Sequence, residues 1–240
     1  MGSALQNNSP LVVLGGRAPA MRWGQGSLQE IDHVPFVRPL AKLAETAQAT
    51  AEIPGLITDA LTTALAPHSG PAFLDFPLDV VFMEAEEEEP TTTLPSPADE
   101  PAATEGIERA VTLLRDAERP VIMAGTNLYW GHGERALVDL AEALGIPVYL
   151  NGLARGCVPA DHPLFFSRTR SAGLKGADVA LVIGVPLDFR LGFGASIGED
   201  TAIVAIDVAA PQRPHPRPVT AELYGALPAT LDALRAEAAG

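Results

Sequence analysis

Residues 179–184 read VALVIG, a short apolar run rich in β-branched side chains and closed by a glycine. An uninterrupted run of this length is the pattern of a strand buried on both faces, ending where a glycine lets the chain turn. The same unit recurs on either side. Residues 121–124 (VIMA) meet Gly125, residues 147–150 (PVYL) meet Asn151-Gly152, and residues 201–206 (TAIVAI) end in Asp207. Helical patterns lie between and around these runs. Residues 104–116 carry Ile107, Ala110, Val111 and Leu114 on one face, with Thr104 placed to cap the start. Residues 133–144 stop at Gly145, a short helix is expected near 171–175, and a last one at 227–238. Strands alternating with helices predict an α/β fold with a doubly wound parallel sheet over 103–240.

The amino-terminal part is sparser. Residues 11–14 (LVVL) run into Gly15-Gly16, an amphipathic helix is expected at 53–66, and residues 72–76 (AFLDF) form a second strand closed by Pro77. Both strands read as buried on two faces and need neighbours, yet only two are clear by residue 77. This predicts the later part of a larger fold over residues 1–84. Between the halves, five glutamates within 84–89 give way to Thr, Pro and Ser without apolar period, which assigns residues 85–102 to an acidic, proline-rich, solvated linker. Chelation needs ligands fixed by structure, so the glutamate run is not taken as a metal site.

Composition narrows the function classes. The chain has 240 residues, 47% of them hydrophobic, enough for a real core. No apolar run approaches the roughly 20 residues of a membrane helix, and no basic-then-apolar leader opens the chain, so a cytoplasmic protein is expected. Its one cysteine, Cys157, excludes an internal disulfide framework. The net charge of −14 opposes binding to nucleic acid or an anionic membrane.

Two sets of candidate residues emerge. Residues 26–42 (GSLQEIDHVPFVRPLAK) gather Gln29, Glu30, Asp32, His33, Arg38 and Lys42, while Pro35 and Pro39 argue for a loop with one short helical piece. This is either the wall of a site or a plain surface loop. The second set sits at the predicted strand ends: Gly125, Thr126, Asn127, Asn151, Gly152, Gly184, Asp188, Arg190 and Asp207. In such sheets ligands bind at the carboxyl ends of strands, and an acidic residue there, as Asp207, suits a ribose hydroxyl. Turn geometry alone would also explain the glycines. Gly131-His132-Gly133 lacks the third glycine of a dinucleotide fingerprint.

Gly-Ser-Leu-Gln-Glu-Ile-Asp-His at 26–33 followed by Lys42, and Ser-Gly-Pro-Ala-Phe-Leu-Asp-Phe-Pro-Leu-Asp at 69–79, resemble segments of acetolactate synthase large subunits. So do Ile-Gly-Val-Pro-Leu-Asp-Phe-Arg at 183–190 and Ala-Ile-Asp-Val at 205–208. The chain thus resembles the thiamine-diphosphate enzyme family over nearly its whole length. The resemblance implies an incomplete pyrimidine-binding-domain half (1–84) and a Rossmann-like central nucleotide-binding domain (103–240). It implies that Gln29 and Lys42 wall a catalytic cavity, and that Asp188, Arg190 and Asp207 contact FAD, beside the strand-end candidates Gly125, Asn151, Gly152 and Gly184. His68-Ser69, Leu78 and Pro186 depart from the synthase pattern. Residues 167–178 instead resemble oxalyl-CoA decarboxylase and 2-hydroxyacyl-CoA lyase, where an arginine matching Arg170 holds ADP. FAD or ADP therefore remain alternatives.

The family's catalytic glutamate and the Gly-Asp-Gly motif that holds Mg2+ and thiamine diphosphate find no match in the sequence. The expectation is a piece of an enzyme that decarboxylates and joins 2-oxo acids, inactive alone, dimeric or completed by other chains. The alternative is a stand-alone nucleotide-binding or interaction module, or a piece of a 2-hydroxyacyl-CoA lyase-like enzyme.

Overall fold

Parallel pairing organises both halves of the chain. The computed structural model describes residues 1–86 and 99–239. The chain divides into two units, Met1–Ser96 and Pro97–Gly240. Most of the sequence-assigned linker, 87–98 with Glu87 to Glu89, lies outside the described residues.

The first unit contains α1 (Gly2–Gln6), β1 (Leu11–Arg17), α2 (Val34–Val37), β2 (Leu43–Thr46), α3 (Ile53–Leu65), β3 (Pro71–Pro77) and α4 (Leu78–Phe82). Its sheet has the order β1-β3-β2. The sequence reading found only two of these three strands. β2 reads LAET, too short and too mixed to show a period, and it is a strand because Leu43 to Thr46 pair with Ala72 to Asp75 of β3. The expectation of two-sided burial also needs correcting. It holds for the central β3, whereas β1 is an edge strand that alternates between exposed and half-buried.

Ala60 and Ala64 of α3 pack on Ala72 and Leu74, so small side chains let the helix lie close to the sheet. Over 26–42 the chain forms the short α2 and one 3-10 turn, Arg38–Leu40. Pro35 and Pro39 each fall in a first turn, where the missing N–H is not needed.

The second unit runs α5 (Thr104–Arg115), β4 (Pro120–Ala124), α6 (Thr126–Trp130), α7 (Glu134–Leu144), β5 (Val148–Leu150), α8 (Arg170–Gly176), β6 (Val179–Ile183), β7 (Ala202–Asp207), β8 (Ala221–Tyr224) and α9 (Leu227–Ala238). All five strands are parallel in the order β5-β4-β6-β7-β8. Side chains alternate between two cores. Ile122, Leu181 and Val204 point to the face covered by α5, α7 and α9, while Met123, Val182 and Ile203 join Leu174 of α8 on the other. This is the expected doubly wound sheet, with one strand more than the sequence showed. β8 was hidden because, at the edge, its residues alternate between buried and exposed. Gly145 ends α7 in the left-handed conformation, φ 66°. Thr104 does not cap α5: Ala103 occupies that position and no side chain bonds there.

Candidate functional site

In the second unit, register brings the predicted strand-end residues together. Ala124 lies beside Leu150 and Ile183, and Ile183 beside Ile206, so β5, β4, β6 and β7 end nearly level. Backbone bonds extend the ladder one step further. Asn151 N donates to Ala124 O (2.9 Å), Gly125 N to Ile183 O (2.9 Å) and Gly184 N to Ile206 O (2.8 Å). Gly125 and Gly184 are needed for packing by the chain itself. A Cβ at Gly125 would lie 2.4 Å from Val185 Cβ, and one at Gly184, where φ is +61°, 2.5 Å from Leu128 N. Gly152 likewise sits against Thr126 Oγ1.

The polar groups differ in how far they are committed. Asp207 Oδ1 accepts from Asn127 Nδ2 (2.8 Å) and from Val208 N (2.7 Å). Asp188 accepts from Arg190 N (2.9 Å), and its other oxygen forms a close ion pair with the Arg190 guanidinium, which also lies over the Phe189 ring. Arg170 begins α8 and is half-buried. Asn151 is the exception: its side chain is buried, and neither its amide nitrogen nor its oxygen has a partner. A buried amide without partners is costly, and a bound group with complementary polar edges would satisfy it. The set therefore fits a polar ligand at the end of β5, with Asp188 and Asp207 already engaged.

The first unit holds a different arrangement. Arg17 ends β1, Thr46 ends β2, and Asp75 lies in β3 opposite both Gly15 and Thr46. Asp75 has no exposed surface, so its charge requires partners. Arg17 Nη1 lies 3.5 Å from its carboxylate, and His33 Nδ1 lies 3.1 Å from one oxygen and 3.2 Å from the other. The same guanidinium reaches Thr46 Oγ1 (3.4 Å) and Asp32 (3.7 Å) and stacks under Trp23 at 4.1 Å.

The loop that delivers His33 is pinned twice. Glu30 accepts the N–H groups of Gly24, Gly26 and Ser27, and those bonds, Ser27's foremost, hold its carboxyl below the usual range. Gln29 adopts a left-handed φ of 61°, and its carbonyl accepts Ala18 N–H just beyond β1.

The structure does not bring Gln29 and Lys42 together. Gln29 sits at the carboxyl end of the sheet, while Lys42 precedes β2 at the amino end, its N–H bonded to Pro71 O. Its ammonium donates to Ala66 O (2.8 Å), the residue that caps the carboxyl terminus of α3, and burial pulls its pKa down. A cation at that helix end has a structural role. The sequence reading named His33 without its partners. The missed signal was Asp75, an acid within the apolar run 72–76.

A family model for the thiamine pyrophosphate enzyme central domain matches residues 107–234, which take in the whole second sheet. The chain belongs to the thiamine pyrophosphate enzyme family. It is 58% identical over 236 residues to the acetolactate synthase large subunit IlvG of Mycobacterium tuberculosis, covering 98% of this chain and 43% of that protein. It is 32% identical over 240 residues to 2-hydroxyacyl-CoA lyase 2 of Caenorhabditis elegans, covering 85% of this chain and 38% of that protein. The rice 2-hydroxyacyl-CoA lyase is also 32% identical, over 221 residues. The chain thus spans about two fifths of the length of these relatives. In this thiamine pyrophosphate enzyme chain the strand-end set lies inside the matched central domain. The Gln29 loop precedes the matched residues.

Proposed function

We propose that the chain forms the central domain and one wall of the active site in an acetolactate synthase-like enzyme that decarboxylates and joins 2-oxo acids. The observation that carries this reading is the 58% identity to an acetolactate synthase large subunit along 98% of the chain, against 32% to the lyases. When bound, thiamine diphosphate supplies the carbanion chemistry. The chain's own part is to position and enclose: the Gln29 loop lies over one sheet end. Among the described residues no group of three His, Cys, Asp or Glu could hold the cofactor's Mg2+. In this reading other polypeptide supplies that metal, the diphosphate site and the catalytic glutamate, through a homodimer or a complementing chain, in the cytoplasm.

The second sheet holds an ADP-bearing group, FAD or ADP itself, at the end of β5. The unsatisfied Asn151 amide supports this, with Gly125, Gly152, Gly184 and Arg170 around it and the Asp188–Arg190 and Asn127–Asp207 pairs as its rim. Assay of acetolactate formation from pyruvate, with thiamine diphosphate, Mg2+ and FAD, tests the reading. The chain alone gives none, and co-expression with polypeptide carrying the glutamate and Gly-Asp-Gly motifs restores it. Failure of every such combination would reject the synthase assignment. Equilibrium dialysis against ADP and FAD separates the two nucleotides, and Asn151→Ala weakens whichever binds.

A further inference from the structure

We propose that His33 is the specificity-determining acceptor of the first unit's site, taking a hydrogen bond from the hydroxyl of a 2-hydroxy acid or 2-hydroxyacyl compound. The inference rests on the reading of the Gln29 loop as a site wall, and begins with Asp75. A carboxylate that is fully buried and paired with Arg17 can only accept hydrogen bonds. The imidazole nitrogen 3.1 Å from it, Nδ1, must therefore carry the proton. With Nδ1 committed as the donor, Nε2 is the ring atom that can offer a lone pair.

Nε2 is left for something else. Among the described residues it has no hydrogen-bond partner, it is not among the buried unsatisfied atoms, and the His33 side chain is 29% exposed. Its orientation is over-determined. The carboxylate fixes one edge, the Phe73 ring meets it edge-on with centroids 6.3 Å apart, and the loop that carries it is tied by Glu30 and by the Gln29 carbonyl. Arg17 offsets the Asp75 charge and is itself held by Thr46, Asp32 and Trp23, so Asp75 and Arg17 are positioning residues.

An oriented lone pair selects a donor. Arg17, the cation beside this ring's carboxylate partner, is already engaged by Asp75 and Asp32 and so offers little to a ligand's anionic end. A neutral hydroxyl beside a carbonyl fits better, and it is the feature shared by the product of 2-oxo acid joining and by 2-hydroxyacyl compounds. A site built to bond a hydroxyl rejects the analogue lacking it, because the protein group is then left unpaired.

The test uses the full chain labelled with 15N. Long-range proton–nitrogen correlations at neutral pH should show His33 protonated at Nδ1 and bare at Nε2; the opposite tautomer overturns the proposal before any variant is made. Titration then compares 2-hydroxyisobutyrate with isobutyrate. The hydroxy acid should bind about tenfold more tightly, the value of one neutral hydrogen bond, and shift Nε2. His33→Phe should abolish the difference while leaving the weaker binding. Equal affinities, or loop amides of Gly26, Gln29 and Ile31 that respond while Nε2 does not, would overturn the role of His33 and leave the site-wall reading standing. No response anywhere in the loop would overturn both.

Discussion

The two sheets share parallel pairing but differ in how completely they are enclosed. In the second unit β6 lies central, with Ala180, Leu181 and Val182 packed alternately into cores on both faces. In the first unit β3 is equally buried, yet the cluster it joins contains only Ala60, Ala64, Ala72 and Leu74 as buried members. Large apolar side chains such as Leu14, Leu28, Phe36 and Phe82 remain exposed there. Three strands and one long helix cannot cover what five strands and helices on two faces cover. Stability in the first unit therefore leans on polar ties, those of Asp75 and Glu30, where the second leans on apolar packing.

The sharpest way to break this contrast is a matched pair of truncations. Leu181→Ala should cost about 4 kcal/mol and Leu74→Ala about 2 kcal/mol, since the looser surroundings of Leu74 can collapse into the space. Urea unfolding followed at Trp130 for the second unit and Trp23 for the first would read each; equal costs would refute the difference in packing.

A second pair concerns glycines of the two sheets, Gly125 just past β4 and Gly15 within β1. Gly125→Ala should destabilise by about 2 kcal/mol, because Val185 Cβ at 2.4 Å and the Gly184 carbonyl at 3.0 Å cannot move aside. Gly15→Ala should cost less than about 1 kcal/mol, because the nearest atoms belong to the far end of the Phe73 ring, which can turn. Thermal melts of both variants decide it.

Smaller effects come from single titrating groups. Half-buried Lys42 holds its proton less tightly than the unfolded chain does, below the ordinary 10.5. The sign follows: the folded state carries a penalty while the lysine is charged, and it is relieved as pH rises through the folded value toward the unfolded one. Melting temperature should thus rise with alkaline pH relative to Lys42→Met, and parallel profiles would contradict this. Cys157 should react least of all. Burial, then the Glu134 charge, pushes its thiol up to about 11, so alkylation at neutral pH should lag well behind that of free cysteine.

Legibility followed apolar runs. Strands such as Val179–Ile183 were plain in the sequence because both faces are covered and every residue is apolar. β2 and β8 were not, since these two edge strands are polar at half their positions and gain their identity from the neighbour they pair with, whereas the edge strand β1 was legible from its apolar run LVVL. The strand-end set was readable for the same reason as the strands: a parallel sheet puts all its carboxyl ends on one side. The Gln29 loop was readable only as a list of polar residues.

What the sequence determined by itself was the order of four of the five strands and of the longer helices in the second unit, the glycine stops, and the family, all written in local patterns of neighbouring residues. Only the tertiary structure decided which polar residues work together. It separated Gln29 from Lys42 across the length of a sheet, placed Lys42 on the end of α3, and joined His33 to Asp75, 42 positions apart. The physical reason is that a charge in a buried strand must be neutralised by whatever the fold brings within hydrogen-bond reach, and reach is set by strand register, which no stretch of sequence read alone contains.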